Sequence, residues 1–160
     1  MKNRKKISGI LYIPLPLKGL THVNITRYYS RIWDSDLVQN QPNLEVLCIE
    51  GFDDIPNNFF KYSSKLKMLE ILNGHIKELR KEVFYGLNNL LHLKLKIDFI
   101  ESIEANFTFP GSTSLKNLEI FHYNLYILPP GSFKNLKNLE NTIVFYKEVR
   151  FCSIFDSAKN

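Results

Sequence analysis

The chain has 160 residues, 44% of them apolar and 23% charged; this is the balance of one soluble globular domain rather than of a disordered tail or a membrane bundle. Its two cysteines are too few for a disulfide scaffold, and its seven glycines contain no G-x-G, which removes nucleotide binding through a glycine-rich loop. The formal charge of +5 gathers at the start: Lys2, Arg4, Lys5 and Lys6 stand without acids, leaving 17 basic against 16 acidic groups elsewhere, so a broad basic face for nucleic acid is not expected.

In chain order, residues 1–16 are first basic and then apolar. Ile7 to Leu17 has the length of a secretory core, but Pro14 and Pro16 interrupt it and no small-x-small cleavage site follows. The segment therefore reads as an N-terminal tail or a degenerate repeat. No stretch reaches the roughly 18 apolar residues of a membrane span.

From Leu17 to about residue 150 the chain repeats itself. Leu66, Leu69, Ile71, Ile76, Leu79, Phe84 and Leu87 have the same spacing as Leu115, Leu118, Ile120, Leu125, Leu128, Phe133 and Leu136. These are positions 1, 4, 6, 11, 14, 19 and 22 of a unit of about 24 residues. Leu90, Leu93, Leu95, Ile100 and Ile103 keep the first five positions, with Phe107 or Phe109 near the sixth; Leu44, Leu47, Ile49, Ile55 and Phe60 form a shorter unit. Units thus begin at 20, 44, 66, 90, 115 and 139, the last decaying as Thr142 takes a core position. Residues 151–160 form a C-terminal tail.

The L-x-x-L-x-L segment alternates at its end, as in a short strand with one buried face. Strands recurring every 24 residues are parallel neighbours, because each unit can cover only the next. Strands are expected at 22–25, 46–49, 68–71, 92–95, 117–120 and 141–144, with loops and short helical turns returning outside. Positions 2, 3, 5, 7 and 8 then face solvent. Glu70, Lys94 and Glu119 alternate in sign along position 5 and are placed to pair sideways. Leu72, Ile97 and Phe121 occupy nominally exposed positions, as do Phe145 and Tyr146, over which residues 149–155 are expected to fold as a cap. Contiguous exposed apolar groups of this kind mark binding surfaces.

The unit resembles the leucine-rich repeat family, with its L-x-x-L-x-L-x-x-N/C-x-L signature. Leu79 to Leu90 and Leu128 to Leu139 are similar to the L-P-x-x-x-F-x-x-L-x-x-L back half of animal extracellular members of the Toll-like, Slit-like and small proteoglycan kinds. The resemblance implies an α/β fold: a right-handed leucine-rich-repeat solenoid, or horseshoe, with a parallel concave β-sheet. It also implies a convex spine of Phe60, Phe84 and Phe133. Position 9, an Asn in the family, holds Phe52, Gly74, Asp98 and Tyr123 here; only Asp98 is suited to the work of that Asn. The backbone at these bends must find other partners, so the bends are expected to be irregular.

No catalytic or metal motif is present: the four His show no H-E-x-x-H spacing, and Cys48 and Cys152 are too few for a structural zinc site. His92 and His122 fall on adjacent strands as contact residues rather than a zinc pair. Some four repeats separate Cys48 from Cys152, which argues against a bridge and for free thiols. No cofactor is expected. The resemblance implies a non-catalytic protein-interaction module, part of an extracellular or receptor ectodomain; the alternatives are an intracellular adaptor in the cytoplasm and a non-catalytic partner subunit of an enzyme. A protein ligand is expected on the concave face at Glu70, Leu72, His92, Lys94, Lys96, Glu119, Phe121 and His122. Asn24 and Asn106 lie in N-glycosylation sequons.

Overall fold

The computed structural model describes residues 4–8, 19–26, 38, 41–109, 113–122 and 128–146, with the side chains of 4–8, 26, 122, 145 and 146 left aside. Seven strands make one parallel sheet: β1 (Arg4–Ser8), β2 (His22–Thr26), β3 (Val46–Glu50), β4 (Met68–Leu72), β6 (His92–Ile97), β8 (Asn117–His122) and β9 (Asn141–Tyr146), in that order across the sheet. All six expected strands are present and parallel. Every pairing joins like positions of the unit, as Leu47 with Leu69, Leu69 with Leu93 and Leu93 with Leu118. β1 stands ahead of them, pairing Lys5 with Val23 and Ile7 with Ile25.

Period-2 burial follows from this register. In β3 and β4 the residues at positions 4 and 6 are buried while positions 3, 5 and 7 are half-buried on the other face. Leu47, Ile49, Leu66, Leu69 and Ile71 are fully enclosed, and Leu90, Leu93, Leu95, Leu115 and Leu118 nearly so or fully. Each contributes about 1.5–3 kcal/mol by leaving water.

The returning segments differ from the expectation of loops and helical turns. Among the described residues they hold one complete helical element, the 3-10 turn Lys81–Phe84, and a single α-helical position at Val38. Two of them instead contain strands, β5 (His75–Leu79) and β7 (Phe99–Ile103), which pair parallel in a second sheet. This second ladder also answers the missing Asn at position 9. The amide of His75 donates to the Phe52 carbonyl at 3.0 Å and that of Asp54 to His75 at 2.6 Å; Asp98 and Phe99 both donate to Gly74, at 3.0 and 3.3 Å. Backbone thus satisfies backbone from one repeat to the next. Asp98 contributes its amide in this way while its side chain is exposed. The Phe52 ring lies over Gly74, where an added Cβ would fall 2.0 Å from it, so the absence of a side chain at 74 makes the room that Phe52 fills. Tyr123 lies outside the described residues.

The phenylalanine spine is present and carries extra members. Phe60 and Phe84 are fully buried and Phe133 nearly so. Phe109 supplies the loose fourth unit: its ring lies 5.3 Å from Phe84 and stacks on Phe133 at 5.9 Å and 8°. Phe107 packs edge-on to Phe109 at 4.9 Å.

Ile97 is corrected from exposed to buried, at 1% exposure. The cause is the turn. Gly51 and Asn73, its equivalents at position 8, have left-handed φ of 70° and 52°, which ends their strands after position 7. β6 runs one residue further, and alternation sends its sixth side chain inward.

Gly86 gives a test of the spine. Its φ is +95°, and a Cβ there would lie 2.2 Å from the Phe60 carbonyl oxygen and 2.5 Å from that of Lys61. Gly86→Ala is expected to cost about 3 kcal/mol or more, combining left-handed strain and a backbone clash. Gly131→Ala, at φ +79° with only a flexible lysine carbon at 3.6 Å, should cost about 1 kcal/mol. Urea denaturation of both variants checks the difference.

Candidate functional site

The open face of the seven-stranded sheet arranges side chains in columns, because parallel strands in register place like positions side by side about 4.8 Å apart. Position 3 holds His22, Val46, Met68, His92, Asn117 and Asn141. Position 5 holds Asn24, Cys48, Glu70, Lys94, Glu119 and Ile143; position 7 includes Glu50, Leu72, Lys96 and Phe121. Seven of the eight expected contact residues have described side chains, and all seven stand half-buried on this face. The backbone of His122 is at the end of β8, opposite Ile97; its side chain lies outside the described residues. His92 pairs with Asn117 at the other end of that ladder, so the two histidines are some five residues, about 17 Å, apart along the strands. They cannot share a metal. No group of three or more His, Cys, Asp or Glu among the described residues is placed to hold one.

The charged column pairs in part as expected. Lys94 meets Glu119 at 3.0 Å, and its ammonium also lies 5.5 Å from the Phe121 ring centroid. Glu70 has no ion pair with Lys94 among the described contacts; it stands in register beside Cys48 on the neighbouring strand and acts on that thiol. Burial, then the charge and hydrogen bond of Glu70, then the charge of Glu50, push that thiol up to about 12. Glu50 accepts from Asn73 Nδ2 at 2.8 Å. A polar ladder crosses position 3: Asn141 donates to Asn117 Oδ1 at 2.7 Å, and Asn117 Nδ2 lies 2.9 Å from His92 Nδ1. If the amide donates, this imidazole nitrogen is the acceptor and the ring proton sits on Nε2. Ile143 is 42% exposed and extends the apolar part of the face beyond Phe121.

The residue just before position 1 carries a second ladder that the apolar pattern did not reveal. Asn89 Nδ2 donates to the Ser64 carbonyl at 2.8 Å, Ser114 Oγ to that of Asn88 at 3.2 Å, and Asn138 Nδ2 to that of Thr113 at 2.7 Å. The Asn missing from position 9 recurs here, in Asn43-Leu44, Asn89-Leu90 and Asn138-Leu139. That recurrence was the available signal. Beside this edge, two open grooves meet at Leu91 and Ser114.

Of the sequons, Asn106 is exposed in the turn after β7, while Asn24 is half-buried on β2 with its Oδ1 enclosed and unpaired. Cys152 and residues 149–155 lie outside the described residues. No helix among the described residues is long and apolar enough to cross a membrane.

Comparison with known proteins agrees with this geometry. The sequence profile described as "BspA type Leucine rich repeat region" matches residues 53–155 in six copies. The chain is 29% identical over 129 residues, 78% of its length, to volume-regulated anion channel subunit LRRC8D of Rattus norvegicus. It is 31% identical over 117 residues, 71% of its length, to volume-regulated anion channel subunit LRRC8B of Mus musculus. It spans only 15% and 14% of those two proteins.

The Cys48 thiol sets an alkaline limit on stability. Its folded value of about 12 stands above the ordinary 9.0. Below pH 9 the thiol is neutral in both states; between about 9 and 12 the unfolded chain alone releases the proton, so stability falls as pH rises. Cys48→Ala should flatten this part of the pH dependence of Tm, and iodoacetamide at pH 8 should alkylate native Cys48 far more slowly than the unfolded chain, as read by mass spectrometry.

Proposed function

As the chain belongs to the BspA-type leucine-rich repeat family, we propose that it is a non-catalytic protein-binding module that takes its partner across the open face of the main sheet. The observation that carries this reading is the face itself. Glu70, Leu72, His92, Lys94, Lys96, Glu119 and Phe121 stand half-buried in adjoining columns on the strands. The depressions beside the sheet are open grooves, and a small ligand needs a pocket enclosing most of its surface. A broad flat array of side chains fits another protein.

The proposed setting is a larger protein at the cell surface, as an extracellular or receptor ectodomain. The Phe-containing repeats support it, and relatives that are anion channel subunits support attachment to a membrane protein. A cytoplasmic module is the second reading, favoured by the reduced Cys48 thiol. Expression of the full gene product separates them: secretion with a glycan lost in Asn106→Gln supports the first, and retention without glycan the second.

For the binding face, burying Phe121 against a partner is worth about 1.5–3 kcal/mol, and the wet Lys94–Glu119 pair under about 1 kcal/mol. Phe121→Ala should therefore weaken partner binding more than Lys94→Ala, with Lys134→Ala on the outer side of the solenoid without effect. Titration calorimetry on the three variants checks the order; loss confined to Lys134→Ala would sink the reading.

A further inference from the structure

Among the described charged side chains of the open face, all but one have a partner within the chain. Glu50 accepts from Asn73, Glu70 stands beside the Cys48 thiol, and Lys94 is paired with Glu119. Lys96 is the exception: its carbonyl accepts from the Asn73 amide, but its ammonium has no hydrogen bond or ion pair with a described residue. Its place is specific. In the position-7 column it stands between Leu72 on one side and Phe121 on the other. An ammonium between two apolar side chains is poorly served by water once a partner covers them, and burying it without a counter-charge is costly. The occupant of this column must therefore bring an anion flanked by apolar groups.

Resting on the binding-face reading above, we propose that the face recognises an extended peptide segment in which a carboxylate is flanked by apolar side chains, the carboxylate pairing with Lys96 and the flanks covering Leu72 and Phe121. An extended chain crossing the strands reaches all three residues. Side chains i−2, i and i+2 of such a segment share one face at about 6.8 Å intervals, and the three residues beneath them, on adjacent strands, are about 4.8 Å apart, so each flanking side chain reaches about 2 Å past the residue it covers. A Leu-x-Glu-x-Leu pattern thus sets its Glu over Lys96 and its two Leu near Leu72 and Phe121. Lys94 cannot take the same role without giving up Glu119, so Lys96 and not Lys94 selects the charge.

The probe is a set of fluorescent ten-residue peptides with Leu-x-Glu-x-Leu at the centre, alongside otherwise identical peptides bearing Gln or Lys in place of Glu. Anisotropy is read with the full chain. The Glu peptide should bind about tenfold more tightly than the Gln peptide and weaken as salt rises; Lys96→Gln should reduce the preference to within about threefold and flatten the salt dependence. Phe121→Ala should weaken the Glu and Gln peptides alike, and an unchanged Tm confirms that both variants are folded. Equal binding of the Glu and Gln peptides, still lowered by Phe121→Ala, overturns the carboxylate while leaving the binding face in place. Binding indifferent to Phe121→Ala overturns the face as well. Failure of every peptide at millimolar concentration, or self-association of the chain that Lys96→Gln abolishes, also overturns the proposal, the latter making a second copy the occupant.

Discussion

The aliphatic side chains at positions 4 and 6 are half of an interface whose other half is the same two positions one repeat away. Leu69 is covered by Leu47 on one side and Leu93 on the other, and Ile71 by Ile49 and Leu95. No unit can bury its own stripe, so stacking and burial are one event. Register is fixed by the same requirement, since a one-residue slip would turn Glu70 and Lys94 inward and Leu69 and Leu93 out. Once the strands are aligned in this way the outward residues have no freedom of placement. The columns of the open face are the reverse side of the packed core.

What was legible in the sequence was what a period can carry. Both the 1-4-6 spacing and its return near 24 residues come from burial, so they located the six strands and assigned Leu72 and Phe121 to the open side. The second ladder left no such trace. In β7 only Ile100 is fully buried, and His75 and Phe99 pair through backbone groups that every residue possesses. β1 was hidden differently, because in Arg4–Ser8 only Ile7 is aliphatic, too little for alternation to register. Ile97 failed through turn chemistry: the left-handed residue that ends β3 and β4 is absent from β6, and β-branched Ile is among the residues least suited to supply it.

The site was half readable for a related reason. Columns follow from register, so the residues that share the face could be named. Which of them are already occupied depends on side-chain reach and rotamer, which no spacing records. Glu70 was placed to meet Lys94 and instead stands beside the Cys48 thiol without an ion pair; Lys94 goes to Glu119 and the Phe121 ring. That asymmetry separates two neighbouring lysines which the sequence presents as equivalents.

The pairing of β5 with β7 bears on motion. A solenoid bends when its repeats are closer together on one wall than on another, as where a sheet at about 4.8 Å faces helices packed at about 8–10 Å. The repeats that begin at 66 and 90 are held at strand spacing on two adjoining walls, by β4 with β6 and by β5 with β7. Two hydrogen-bonded walls meeting at a corner resist splaying about either one. These repeats form a stiff bracket within the stack, and Leu72 and Lys96 are mounted on it. The Asp53–His75 bridge carries the second wall back to the repeat that begins at 44, so Leu72 and Lys96 stand on a part of the stack where neighbouring strands can change neither spacing nor tilt independently.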